Sequence, residues 1–268
     1  MARKTAPGPT QYVPLPYGLV ADLRRDPLSA YTAIAREHGD VSRVRIGPLV
    51  SHLLVHPDHV KRVLLDRYEN YPRSRLFGGL RLVLGEGLVS SDGEPWKRDR
   101  RLLQPSFARA RILPLATKVV AATERMLDGW RVTHGEGRPF DVARAMMRLT
   151  LVVVGDALLG VELEGRADAL GDALTEVLEY VYQRTSNPLM LPPAVPTSRN
   201  LRFRRALAVL DRFAQDLIGG HGISIGGRHD DLTATLAESG LAAGRVRDHI
   251  LTFLVAGNET TANALTWA

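Results

Sequence analysis

Beyond residue 90 the apolar residues of this chain recur at steps of three and four, and almost nowhere at steps of two. That period belongs to helices buried along one face, so the larger part of the chain is expected to be α-helical. Pro95 starts a basic helix. Ile112, Leu115, Val119, Ala122 and Met126 form one stripe that closes near Gly129, and Asp141 caps a strongly apolar helix that runs through Leu159 and Gly160. Further helices are predicted over roughly 166–183 and 201–218, separated by the stretch 187–196, whose four prolines forbid helix. Asp230 is expected to cap a short helix with Leu232 and Leu236 inward. The last helix begins near Gly244 and is still running at Ala268.

Period two occurs only early. Ser42–Ile46 alternates, Gly47-Pro48 turns, and Leu49, Ser51, Leu53 and Val55 alternate again, which predicts one antiparallel hairpin. It is flanked by a helix that starts at Asp26-Pro27, with Leu28, Tyr31, Ile34 and Ala35 on one face and Gly39 at its end. After the hairpin, His56-Pro57-Asp58 opens a short helix with Val60, Val63 and Leu64 expected inward. The fold class is therefore mainly α with a small β-hairpin.

Composition narrows the function. A content of 45% hydrophobic and 24% charged residues in 268 suffices for a globular core, and the net charge of +6 would suit an acidic protein partner or a polyanion without selecting either. There is no cysteine, which removes disulfides, zinc–thiolate sites and cysteine nucleophiles. The N-terminal MARKTAPGPTQYVPLPYG lacks the apolar core of an export signal, and runs such as Leu151–Val154 and Phe253–Ala256 are far shorter than the about 20 residues that span a bilayer. A cytoplasmic protein without membrane contact is expected. The eight histidines are scattered; His52, His56 and His59 fall on a strand end and a helix start, and surface or capping roles are expected for all rather than a metal site. The cluster Lys97–Arg101 is too small a basic patch, without interleaved aromatics, to predict nucleic-acid binding.

Two segments carry chemistry. Ala256-Gly257-Asn258-Glu259-Thr260-Thr261 lies inside the last apolar helix, where Thr252, Ala256 and Thr260 share a stripe. Gly257 costs about 1 kcal/mol there relative to Ala, which asks for a reason such as the close approach of something flat and wide. Thr260 can bond the carbonyl four residues back, and Glu259 adds an ionisable group beside it. The plain alternative is that Gly257-Asn258 ends one helix and the following residues begin another. The second segment is Trp96-Lys97-Arg98-Asp99-Arg100, in which Trp96 and Arg100 are neighbours on one helical face, an arrangement suited to a buried carboxylate.

Residues 256–261 match [AG]-G-x-[DE]-T-[TS], and in this they resemble the oxygen-activation stretch of the central helix of the cytochrome P450 family. Trp96 and Arg100, between GLVSSDGEPW and RLLQPSF, resemble that family's W-x-x-x-R. The resemblance runs in order over essentially the whole chain. It implies that Thr260 is the oxygen-activating threonine and Glu259 its acidic neighbour, that Ala256 and Gly257 lie over a haem, and that Trp96 and Arg100 reach a haem propionate. Leu88 and Val89 sit where the family folds a loop over its substrate pocket; a pair of core anchors is the alternative for them.

The resemblance also implies a monooxygenase that inserts one oxygen atom of O₂ into a small apolar substrate, with electrons from a ferredoxin- or flavodoxin-like donor protein. No E-x-x-R helix follows the central helix, and neither the F-x-x-G-x-x-x-C-x-G loop nor any axial cysteine for the haem iron is present. The chain is thus expected to be one partial domain over 1–268, the N-terminal part of the fold truncated in its central helix. Within it lie a Pro-rich opening over 1–26, a helix and hairpin region over 27–90, a helical region over 91–243 and the start of the central helix over 244–268. As given it is expected to be inactive, with Leu251, Leu254, Val255 and Leu265 left without partner helices. The rival readings are a non-catalytic helical remnant, told apart by a haem titration, and a ligand- or nucleic-acid-binding module, told apart by salt-sensitive binding that depends on Arg98 and Arg101.

Overall fold

The computed structural model describes residues 5–12, 17–74, 77–133, 139–187, 190–220 and 232–268. They fall into two compact units, Met1–Pro72 and Arg73–Ala268. His134, His221, His229 and the expected cap at Asp230 lie outside the described residues.

The first unit holds β1 (Thr10–Gln11), α1 (Gly18–Arg25), α2 (Pro27–His38), β2 (Val41–Ile46), β3 (Leu49–Leu54) and α3 (Pro57–Lys61). Asp26 accepts the Ser29 N–H at 3.0 Å and Pro27 occupies the first turn of α2, while Gly39, at φ 84°, ends it. The hairpin pairs Val41 with Leu54 through Ile46 with Leu49, as its alternation predicts. Against expectation a third strand is present: β1 adds parallel to β2, Thr10 opposite Arg45. Two residues carry no readable period. Their approach depends on Gly8, where a Cβ would collide with the Arg43 carbonyl oxygen. A second correction concerns the flanking helices. Ile34 is buried, but Leu28, Tyr31, Val60 and Leu64 are exposed, because so small a unit covers little of each amphipathic face.

The second unit is helical among its described residues: α4 (Gly78–Leu84), α5 (Gly93–Leu103), α6 (Arg109–Ile112), α7 (Leu115–Thr133), α8 (Val142–Val154), α9 (Ala167–Ser186), α10 (Ser198–Gly219), α11 (Leu232–Ala237) and α12 (Ala243–Trp267). The stripe that sequence joins from Ile112 to Met126 is cut between α6 and α7 at Pro114, which has no N–H to continue the first helix. Asp141 caps α8 as expected, accepting the Arg144 N–H at 3.0 Å.

The core lies where α8, α9, α10 and α12 meet, around Leu151, Leu174, Val177, Leu210 and Ile250. Buried Asn200 fastens the proline-rich connection to it, donating to the carbonyls of Pro192 and Val195, both at 2.8 Å, and accepting the Tyr180 hydroxyl at 2.9 Å. Leu251, Leu254 and Val255 belong to this core. The expectation that their stripe lies open is therefore wrong for all but Leu265, since the preceding helices supply enough apolar surface to cover them.

Candidate active site

Helix α12 passes through Gly257-Asn258 without a break, which removes the reading of two helices meeting there. Its two faces differ. Leu254, Val255, Asn258 and Ala262 are buried, whereas Ala256, Thr260 and Asn263 are exposed. Thr260 lies on the open face, and its Oγ1 donates to the Ala256 carbonyl at 2.8 Å, the local bond its spacing predicts. Glu259 is half-buried and accepts the Asn263 side-chain amide at 3.1 Å.

Gly257 faces the other way. A Cβ there would stand 2.8 Å from Val154 Cγ2 on α8, so the close approach that this glycine serves is between two helices. Beside it, the buried Asn258 donates from Nδ2 to the Met147 sulfur and accepts the Thr150 hydroxyl through Oδ1. Thr150 also reaches the Met146 carbonyl of its own helix at 2.8 Å. In the family pattern position 258 is unconstrained, and no periodicity distinguishes a buried Asn from a surface one, so sequence reasoning missed it.

On α5, Trp96 is half-buried and Arg100 exposed, with the guanidinium carbon 5.3 Å from the indole centroid. Among the described residues that guanidinium meets no carboxylate. A charged fork steadied on an aromatic face, with donors to spare, fits the propionate edge of a haem. The 268 residues offer no cysteine to the iron itself.

Asp99, the neighbour of Arg100, points inward with Trp96 and Leu103 and is 0% exposed. Its Oδ1 accepts Arg98 Nε at 2.9 Å. Its Oδ2 accepts Arg245 Nε at 3.0 Å and Nη2 at 2.6 Å, and lies 3.0 Å from Nε2 of His249. Burial alone would raise the Asp99 pKa, but the hydrogen bonds from Arg98, Arg245 and His249 outweigh it and hold the carboxyl below its usual range. His249 is also fully buried, so the surface or capping role expected of it is corrected. Burial pushes its pKa down, against the upward pull of Asp99. Its Nδ1 is buried with no partner among the described residues, which fits a neutral ring donating from Nε2. Asp99 sits in a run of charges that reads as a solvated face; the available signal was its i, i+3 and i, i+4 relation to Trp96 and Leu103.

The loop from Gly85 to Asp92 lies against the same helix. A Cβ on Gly87 would overlap Thr252 Oγ1, and the Glu86 N–H donates to Asp248 Oδ2 at 2.8 Å, so the loop meets α12 one turn before Ala256. Arg73 braces its far side, donating to Asp92 Oδ1 at 2.7 Å and to the Leu88 carbonyl at 3.2 Å. Leu88 and Val89 are half-buried and pack against the core.

The family model described as Cytochrome P450 matches residues 7–268. Among curated relatives, the chain is 34% identical to cyclooctat-9-en-7-ol 5-monooxygenase of Streptomyces melanosporofaciens, over 97% of this chain and 56% of that protein. It is 34% identical to cyclooctatin synthase of the same organism, over 92% of this chain and 54% of that protein. It is 29% identical to pentalenene oxygenase of Streptomyces avermitilis, over 98% of this chain and 58% of that protein. The chain thus spans a little over half the length of the curated relatives it matches. Among the described residues no helix is long and apolar enough to cross a membrane.

Proposed function

Because the chain belongs to the cytochrome P450 family, we propose that α12 and α5 serve a haem-dependent monooxygenase that places one oxygen atom of O₂ into a small apolar substrate. The observation that carries this is Thr260, its hydroxyl bonded to the Ala256 carbonyl on the exposed face of an unbroken helix whose other face is buried. The names of the relatives refer to cyclooctat-9-en-7-ol and pentalenene, an alkenol and an alkene, which favours a largely hydrocarbon substrate.

Each residue has a task in this reading. Haem, when bound, supplies the reduction of O₂ and the oxygen transfer, with two electrons from a ferredoxin- or flavodoxin-like donor and two protons consumed as the second oxygen leaves as water. Ala256 keeps the open face of α12 low beside Thr260. The Thr260 hydroxyl can accept a proton at Oγ1 and pass another on, and Glu259, half-buried one residue away, supplies protons from solvent. Trp96 holds Arg100 ready for a propionate. Gly257 acts indirectly, letting α12 close on α8. Leu88 and Val89 are the apolar contacts proposed for the substrate. With no cysteine of its own, the 268-residue chain by itself should form no product, and its haem should lack a thiolate-type spectrum.

A haem titration of this chain tests the anchor. Arg100→Leu should weaken uptake by about tenfold or more, the effect of one lost charged hydrogen bond, while Arg101→Leu, whose guanidinium turns back to the Lys97 carbonyl, should leave it nearly unchanged. Equal affinity in the two variants would take Arg100 out of the site.

A further inference from the structure

We propose that Asp99 is a positioning residue for this site: one buried carboxylate on α5 clasps Arg245 and His249 and thereby fixes where the Ala256–Thr260 segment of α12 stands relative to Trp96 and Arg100. The inference rests on the reading of those residues as the two sides of a haem site.

The geometry suits that task. Arg245 and His249 are one turn apart, so a single oxygen, Asp99 Oδ2, holds α12 at two points along its length. Two points fix both sliding and rotation. A slip of one residue would move the helix by about 1.5 Å and turn it by about 100°, which would carry Thr260 off the open face. From His249 to Ala256 is seven residues, two turns, so the clasp and the open segment share one side of the helix. On α5 the same carboxylate directly precedes Arg100. Arg245 in addition lies 3.9 Å from Glu86, on the loop that carries Leu88 and Val89, so α5, α12 and that loop converge on one ionic cluster.

Stability is a poor account of such a cluster. A charged group that is 0% exposed gives up its hydration, and well-packed apolar side chains of similar size would commonly hold two helices at least as firmly. What apolar packing lacks is direction. A carboxylate that receives a guanidinium fork from one residue and an imidazole from the next turn accepts only one register.

Amide hydrogen exchange on this chain separates positioning from plain stabilisation, with haem titration as a second readout. In Asp99→Asn, residues 256–261 should exchange at least tenfold faster, while core amides of α9 such as Leu174 and Val177 change less than twofold, and haem uptake should weaken by about tenfold. His249→Leu, which removes one of the two holds and leaves Arg245 on Asp99, should show the same selective pattern at smaller amplitude, and it carries the test should Asp99→Asn fail to fold. Uniform acceleration across α9 and α12, or none at 256–261, would overturn the proposal. Selective exchange in Asp99→Asn together with unchanged haem uptake in Arg100→Leu would instead leave the clasp standing and remove the haem-site reading beneath it.

Discussion

Asn258 accepts the hydroxyl of Thr150 inside the interface between α12 and α8, so a polar side chain within the segment 256–261 helps tie its helix to the core. Thr150→Val would leave the Asn258 carbonyl oxygen buried without that donor, and should cost about 1–3 kcal/mol of unfolding free energy. Thr150→Val combined with Asn258→Leu should cost less than the sum of the two single changes, because no stranded polar atom then remains. Urea denaturation of the four chains closes the cycle; strict additivity would show that the bond is idle.

Gly257 and Val154 form a second fitted pair. Gly257→Ala gains about 1 kcal/mol of helix propensity, but its Cβ would meet Val154 Cγ2 at 2.8 Å, and a β-branched side chain has little freedom to yield. Overpacking of this kind costs about 1–3 kcal/mol, so a net loss of about 1 kcal/mol is expected. Adding Val154→Ala should remove the clash. A Gly257→Ala chain at least as stable as the original would show that α12 and α8 can part without cost.

Thr260 should behave in the opposite way to Thr150. It is exposed, and Ala is the better helix former by roughly 0.5 kcal/mol, so Thr260→Ala should hold or slightly raise stability. Thermal unfolding compares the two threonines directly. A drop of more than about 1 kcal/mol for Thr260→Ala would mean that its hydroxyl serves the fold.

The clasp predicts a pH dependence. His249 has its pKa lowered from 6.5 by burial, so the unfolded chain binds a proton on it more readily than the folded one does. Its contribution is fully present above about pH 6.5 and is lost as pH falls from there toward the folded-state value. Asp99, also lowered, yields its contribution only below its ordinary value of 3.8. Unfolding free energies from urea titrations between pH 8 and pH 5 should therefore fall more steeply in the original chain than in His249→Gln, by at most about 1.4 kcal/mol per pH unit. Parallel curves would mean that His249 does not titrate in this range.

What the chain states locally, its sequence determines. The caps at Asp26 and Asp141, the hairpin from Val41 to Leu54, the helical run of α12 and the bond from Thr260 to Ala256 all join residues within a turn or along one hairpin, and period and spacing are enough to read them. Motif spacing likewise brings Trp96 to Arg100. The remaining decisions belong to partners far off in the chain. Thr150 meets Asn258 across 108 residues and Asp99 meets His249 across 150, and only when the helices pack does a charge in a basic run become a buried clasp, or a glycine over an expected cofactor become the seat of Val154. Polar residues have no period that marks them as interior; their burial is fixed by whether a partner waits on the facing helix, and that is a property of the packed structure.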